Sequence, residues 1–116
     1  MLNYMKRLII CVFILISACK QEYPSVPRDV IPFEKMTQIL ADMHITDAVA
    51  ATKAQGGMDE KLLTEEYYLQ IYKNYGITKE DFVKSYHFYE GSPKLFNKLY
   101  DQVLSEISKR EAVVGK

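Results

Sequence analysis

The sequence predicts an all-α fold, a small bundle or orthogonal array of about four helices behind an N-terminal lipoprotein signal peptide. After residue 32, apolar residues recur at intervals of three and four, which is typical of amphipathic helices. Glycines lie where these stretches end, and serine, threonine or proline residues lie where they begin, as is typical of helix ends and starts. Sustained alternation and Asn-Gly or Asp-Gly hairpin turns are absent from the sequence, so it predicts no strands.

The first 18 residues have the organisation of a signal peptide. Lys6 and Arg7 form a positive start, and the apolar stretch 8–16 follows them. A stable membrane-spanning helix needs about 20 apolar residues, so this stretch is too short to remain as one. We therefore predict that residues 1–18 are removed.

The apolar stretch ends in Ile16-Ser17-Ala18-Cys19, which resembles the lipobox of bacterial prolipoproteins. The resemblance implies that the Cys19 thiol receives a diacylglycerol and that a peptidase cuts before it, leaving acyl chains such as palmitate as a membrane anchor. The alternative is an ordinary signal peptide with a chance cysteine. Lys20 follows the cysteine instead of aspartate, which by resemblance to sorting rules favours the outer membrane. A periplasmic or a surface-facing orientation stays open.

Charge and cysteine content limit the partners and the cross-links. The chain has 15 basic and 15 acidic side chains, and removal of Lys6 and Arg7 leaves 13 against 15, a net charge of −2. No basic stripe stands out, so we predict no nucleic-acid partner. Cys11 leaves with the signal peptide and Cys19 carries lipid, so the mature domain has no disulfide and depends on packing.

Two prolines characterise the segment after the anchor. Pro24 and Pro27 favour extended backbone, and residues 19–31 are predicted as a semi-rigid spacer. Pro32 suits the first position of a helix. The apolar spacing that follows predicts a helix over about 32–53, which Gly56-Gly57 ends, with 54–62 as a loop.

Three further helices follow in the predicted domain, 32–110. Thr64 is a candidate N-cap for a tyrosine-rich helix that ends at Gly76. Thr78 and Asp81 have the spacing of a short capping box for the next helix, which ends at Gly91.

Ser92-Pro93 starts the last helix, whose apolar stripe we expect to dock on the helix before it. The stripe comprises Phe96, Leu99, Val103 and Ile107, and its predicted contacts are Phe82, Tyr86 and Tyr89. Residues 111–116 are predicted as a polar tail.

Three stretches share a recognisable pattern: Ile39-Leu40-Ala41-Asp42-Met43-His44 with Asp47-Ala48; Tyr72-Lys73-Asn74-Tyr75-Gly76-Ile77-Thr78-Lys79-Glu80-Asp81-Phe82; and Ser85-Tyr86-His87-Phe88-Tyr89 with Pro93, Leu95 and Leu99-Tyr100-Asp101. On these residues the chain, from about Pro32 to Ile107, resembles domain-of-unknown-function family 4296, small lipoproteins of Bacteroidota. The resemblance implies a helical lipoprotein fold and carries no activity.

Candidate sites are few. His44 and Asp47 share a helix face and could begin a metal or acid–base site, but His87 is the only other histidine, so a structural histidine is the preferred interpretation. We predict no catalytic residues, no metal and no cofactor.

Eight tyrosines follow Cys19. Either they form a core whose hydroxyls reach water or carbonyl groups, or Tyr68, Tyr75 and Phe88 form an exposed patch for a partner.

The function predicted from the sequence is a non-enzymatic interaction or accessory module of the cell envelope. Its partners would be the membrane, through the lipid on Cys19, and a protein. The alternative is a chaperone-like or small-ligand-binding domain that uses a groove between helices. A deep apolar pocket would favour the ligand binder, whereas a flat tyrosine-rich patch would favour the adaptor.

Overall fold

Five helices make up the secondary structure of the part of the chain that the computed structural model describes, residues 1–16 and 22–114. They are α1 (Leu2–Ile16), α2 (Phe33–Ala54), α3 (Glu60–Tyr75), α4 (Lys79–Glu90) and α5 (Pro93–Val114). No strand occurs in these residues. The all-α prediction is confirmed, with four helices after residue 32.

The N-terminal helix, α1, is exposed along residues 2–13. Its side chains include Leu8, Ile9 and Phe13, which are 55–73% exposed. No helix within the described residues has the length and apolar character to cross a membrane. The predicted lipidation site, Cys19, lies outside the described residues.

The core forms around α2, which packs against both α3 and α5, while α4 packs against α5. α2 contributes more buried apolar residues than any other helix, because its apolar residues follow the helical repeat. The buried apolar residues are Val30, Ile31, Met36, Ile39, Leu40, Ala41, Met43, Ala50, Ile71, Tyr72, Tyr89, Leu95, Leu99 and Val103.

The predicted stripe of the last helix is buried at its centre, and its predicted contact with α4 is shown at Phe96, while α5 packs against α2 as well. Leu99 and Val103 are fully buried, and the rings of Phe96 and Tyr86 meet edge to face with centroids 5.7 Å apart. Tyr89 is also fully buried, but its ring lies edge to face against Phe33 of α2.

Most helix ends follow the predicted capping, and the exception is the start of α3. Thr78 and Asp81 form a reciprocal capping box at the start of α4, and Gly76 adopts the left-handed conformation (φ 66°) after α3. The prediction of Thr64 as the N-cap of α3 is wrong. Asp59 holds that position, because its carboxylate accepts a hydrogen bond from the Leu62 N–H at 3.1 Å.

The segment before α2 belongs to the packed domain. Val30 and Ile31 are buried, whereas the sequence placed the start of the domain at residue 32. Ser85 accepts a hydrogen bond from the Ile31 N–H at 2.9 Å, and the Tyr89 hydroxyl donates one to the Ile31 carbonyl at 2.6 Å. These bonds satisfy a buried, non-helical backbone, which otherwise would be costly. We call residues 22–31 the strap.

The last helix is longer than the apolar stripe indicated, since α5 runs to Val114 and includes four residues of the predicted polar tail. Arg110 explains the extension. Its guanidinium donates to Gln38 and Asp42 on α2, which ties this end of α5 to the domain.

Candidate functional site

An open groove lies between the C-terminal half of α2 and the end of α5. Its volume is about 740 Å³. Aliphatic side chains form most of its surface, including Val49, which is 42% exposed. The lining residues are His44, Ile45, Ala48, Val49, Thr52, Lys53, Ile107, Arg110, Glu111 and Val114. We call it the aliphatic groove.

Charged groups stand at the edge of the aliphatic groove. Lys53 lies 5.3 Å from the Tyr67 ring centroid and donates a hydrogen bond to the Tyr67 hydroxyl. Arg110 and Glu111 come from α5. A groove with an apolar floor and a polar edge provides burial for an apolar group and orienting contacts for a polar one.

A polar cluster centred on Arg110 fixes one wall of this groove. The guanidinium pairs with Asp42 and with Glu106, the latter at 3.1 Å between Nε and Oε1. The Tyr75 hydroxyl donates to the second oxygen of Asp42 at 2.6 Å. The cluster therefore joins α2, α3 and α5 and holds the helix positions that shape the groove.

A second tyrosine–aspartate pair joins α2 to α3. The Tyr68 hydroxyl donates to Asp47 at 2.8 Å. Burial is the main cause that raises the pKa of Tyr68 above its ordinary value, and the hydrogen bond to Asp47 is the second. Burial and, to a smaller extent, the hydrogen bond to Asp42 raise the pKa of Tyr75 to about 12. Both phenols stay protonated as donors at neutral pH, which suits a role in packing.

The side chains predicted as an exposed partner patch are all half-buried. Tyr68 and Tyr75 turn their hydroxyls onto aspartates of α2, and Phe88 packs edge to face on Tyr89 with centroids 5.4 Å apart. They differ from the expected exposure because amphipathic rings bury their apolar faces wherever a polar partner meets the hydroxyl. Partner binding by these three residues stays a prediction.

The His44–Asp47 pair does not come together as a site. The His44 ring is exposed and lies edge to face on Tyr100, with centroids 5.9 Å apart, whereas Asp47 accepts from Tyr68. Among the described residues, no group of three or more His, Cys, Asp or Glu side chains could hold a metal ion.

A second groove, of about 650 Å³, lies at the other end of α2, and we call it the lysine groove. Lys35, Lys98 and Lys109 contribute its ammonium groups, and Glu34 and Glu106 its carboxylates. The remaining lining residues are Phe33, Thr37, Gln38, Tyr75 and Gln102. The two grooves therefore differ in chemistry, one mainly aliphatic and one mainly charged.

Sequence reasoning missed Val49 and Arg110 as candidate site residues. One available signal was the run Ala48-Val49-Ala50, which is apolar around more of the helix than a single buried face needs. For Arg110 the local signal was only the spacing of four from Glu106, and this spacing does not indicate its partners on α2, which are about 70 residues away in the sequence.

Comparison with known proteins places the domain in a family. Searches of curated proteins and of solved structures give no match to the chain. A family model described as "Domain of unknown function (DUF4296)" matches residues 27–113, a span that takes in the end of the strap and nearly all of α5. This match covers well over half of the chain, and the protein accordingly belongs to the DUF4296 family.

Proposed function

We propose that the protein is a lipid-anchored accessory module of the outer membrane that acts by binding a partner in the aliphatic groove, without catalysis. The observation that carries the proposal is the groove itself, which presents an aliphatic floor at the surface between α2 and α5. A concave surface lined mainly by apolar side chains is typical of binding sites.

The length of the groove suits a helical segment of a partner protein. It is lined by α2 from His44 to Lys53, which at 1.5 Å per residue corresponds to about 15 Å, or nearly three helical turns. An amphipathic helix lying in such a groove would bury residues spaced by three, four and seven positions against Ile45, Val49 and Ile107.

A small amphiphilic ligand is the second candidate. The groove volume falls within the range of small-molecule sites, and Lys53 lies at its edge, where it could meet an anionic head group. The tyrosine–aspartate pairs belong to the packing of the domain, because each joins two helices through a protonated phenol, so the proposal assigns no chemistry to them.

The anchor is tested by replacing the proposed lipidation residue. We expect Cys19→Ser to abolish palmitate labelling and to release the protein from membranes, since the thiol is the only proposed attachment atom. Wild-type protein prepared in parallel is the control. Continued labelling and membrane fractionation of the variant would contradict the lipoprotein assignment.

The groove is tested with a matched pair of valines. Val49 in the aliphatic groove and Val83 on α4 are 42% and 41% exposed, so lysine at either position is tolerated to a similar degree. We expect Val49→Lys to lower the fluorescence of bound anilinonaphthalene sulfonate severalfold, and Val83→Lys to leave it unchanged.

In cells, a photo-crosslinking amino acid at position 49 should give a discrete protein adduct, and the same amino acid at position 83 should not. Addition of a fatty acid that removes the adduct would favour the small-ligand candidate. Equal behaviour of the two positions in both assays would refute the proposed binding surface.

A further inference from the structure

The lysine groove lies next to the N-terminal end of the strap, which is the end connected to the proposed anchor. Tyr23 of the strap packs against the core, and the Lys98 ammonium lies 4.3 Å from its ring centroid. The same ammonium lies 5.5 Å from the ring centroid of Phe33, which lines the lysine groove. Tyr23 is therefore fixed next to this groove.

Chain length limits how far this part of the domain can stand from the bilayer. Only residues 20–22 lie between Cys19 and Tyr23. A fully extended chain spans at most about 3.6 Å per residue, so Tyr23 stays within about 14 Å of a lipidated Cys19. This distance is comparable to the depth of a lipid head-group layer plus one Debye length.

The charge of the lysine groove complements an anionic surface. Three lysines and two glutamates line the lysine groove, and one of these glutamates, Glu106, is ion-paired with Arg110. The mature chain as a whole has two more acidic than basic side chains, so the excess of positive charge is local to this end of α2.

We propose that the lysine groove is the membrane-facing surface of the protein and that Lys35, Lys98 and Lys109 bind the phosphate groups of anionic phospholipids in the bilayer that holds the anchor. This inference rests on the lipid anchor in the proposed function and goes beyond it by assigning an orientation. The aliphatic groove occupies the other end of α2 and stays available to a partner.

The test measures the distance from two positions of the lipidated protein to the bilayer. Gln102 lines the lysine groove, and Gln55 follows the far end of α2, about 33 Å from Phe33 along the helix. A cysteine at either position is the only free thiol of the processed chain and takes a fluorescent donor. The protein is placed in vesicles whose lipid head groups carry an acceptor.

In vesicles of two parts phosphatidylcholine to one part phosphatidylglycerol, we expect strong energy transfer from position 102 and weak transfer from position 55. Vesicles of phosphatidylcholine alone should reduce this difference, because only the short chain between Cys19 and Tyr23 then keeps this end of the domain near the bilayer. A lysine close to an anionic surface contributes about a fivefold preference, so Lys109→Glu should lower the ratio of oriented to non-oriented protein at least fivefold. Lys61→Glu on α3 makes the same charge change and should have no effect.

Equal transfer from the two positions would overturn the orientation, and a difference that does not depend on phosphatidylglycerol would overturn the binding of anionic phospholipids by the lysines. Either result leaves the anchor intact. Mass spectrometry of the same sample reports the lipid on Cys19. An unmodified Cys19 would overturn the inference together with the anchor on which it rests. The lipid-composition comparison keeps all three lysines of the groove, so it does not depend on the folding of a charge variant.

Discussion

Two hydrogen bonds at Ile31 attach the strap to α4, one donated by its N–H and one accepted by its carbonyl, and Tyr89→Phe removes the second. The Tyr89 hydroxyl donates to the Ile31 carbonyl at 2.6 Å, and Tyr89 is fully buried. Phenylalanine keeps the ring contacts with Phe33 and Phe88, so the substitution isolates the hydroxyl.

The expected cost follows from the carbonyl left behind. A buried acceptor that loses its donor costs about 1–3 kcal/mol in the free energy of unfolding. For a domain of this size, each kcal/mol lowers Tm by roughly 4–8 °C, so a loss of about 2 kcal/mol corresponds to roughly 8–16 °C. Ser85→Ala orphans the Ile31 N–H and should cost a similar amount. The double variant should cost less than the sum, because a detached strap lets water satisfy both groups.

Urea unfolding followed by circular dichroism measures these differences, and hydrogen exchange at the Ile31 amide reports whether the strap opens locally. Tyr67→Phe is the matched control, because its hydroxyl accepts only an exposed bond from Lys53, and its effect should stay within about 0.5 kcal/mol. If Tyr89→Phe and Tyr67→Phe have equal effects, and Ile31 exchange is unchanged, the strap is not held by this pair.

Two other predictions concern packing and pH. Leu99 is fully buried, whereas Leu104 on the same helix is 61% exposed. In urea titrations, Leu99→Ala should lower the free energy of unfolding by about 2–5 kcal/mol and Leu104→Ala by less than about 0.5 kcal/mol. Similar losses for the two variants would contradict the packing. Burial raises the pKa of both Tyr75 and Tyr89 to about 12, whereas unfolded tyrosine titrates near pH 10. The contribution of these tyrosines to the free energy of unfolding should therefore be fully present below about pH 10 and be lost as the pH rises toward about 12. The loss should be smaller in Tyr89→Phe. Urea midpoints that stay constant across this range would refute the prediction.

Sequence reasoning predicted the helices best where the signal was local. The capping box of α4 needs only Thr78 and Asp81, three residues apart, and the end of α3 needs only Gly76. The start of α3 was placed too late because Leu62, in its first turn, is 64% exposed and adds nothing to an amphipathic pattern. Asp59 was the actual N-cap. An aspartate three residues before the N–H group that it caps, that of Leu62, was the signal available in the sequence.

The strap and the end of α5 could not be predicted from local pattern. Val30 and Ile31 are buried in non-helical backbone, which has no periodicity, and the partners of Ile31 are 54 and 58 residues away. Arg110 likewise binds Asp42 on α2, 68 residues away, in addition to Glu106 on its own helix. Long-range pairing of this kind is a property of the assembled core, and the candidate grooves, which lie between helices distant in sequence, depend on it.

The tyrosines explain why the binding surface proposed here is aliphatic rather than aromatic. A small domain without disulfides among its described residues needs large side chains to fill its core, and tyrosine supplies a ring together with a hydroxyl that can end at the domain edge. Tyr68 and Tyr75 use that hydroxyl on Asp47 and Asp42, so their polar ends already have partners within the protein. Val49 has no such alternative, because an exposed aliphatic side chain gains free energy only when another apolar surface covers it. A partner that buries the aliphatic groove would therefore gain contact area without breaking a hydrogen bond of the fold, whereas a partner that took the tyrosine hydroxyls would have to replace bonds that join α2 to α3.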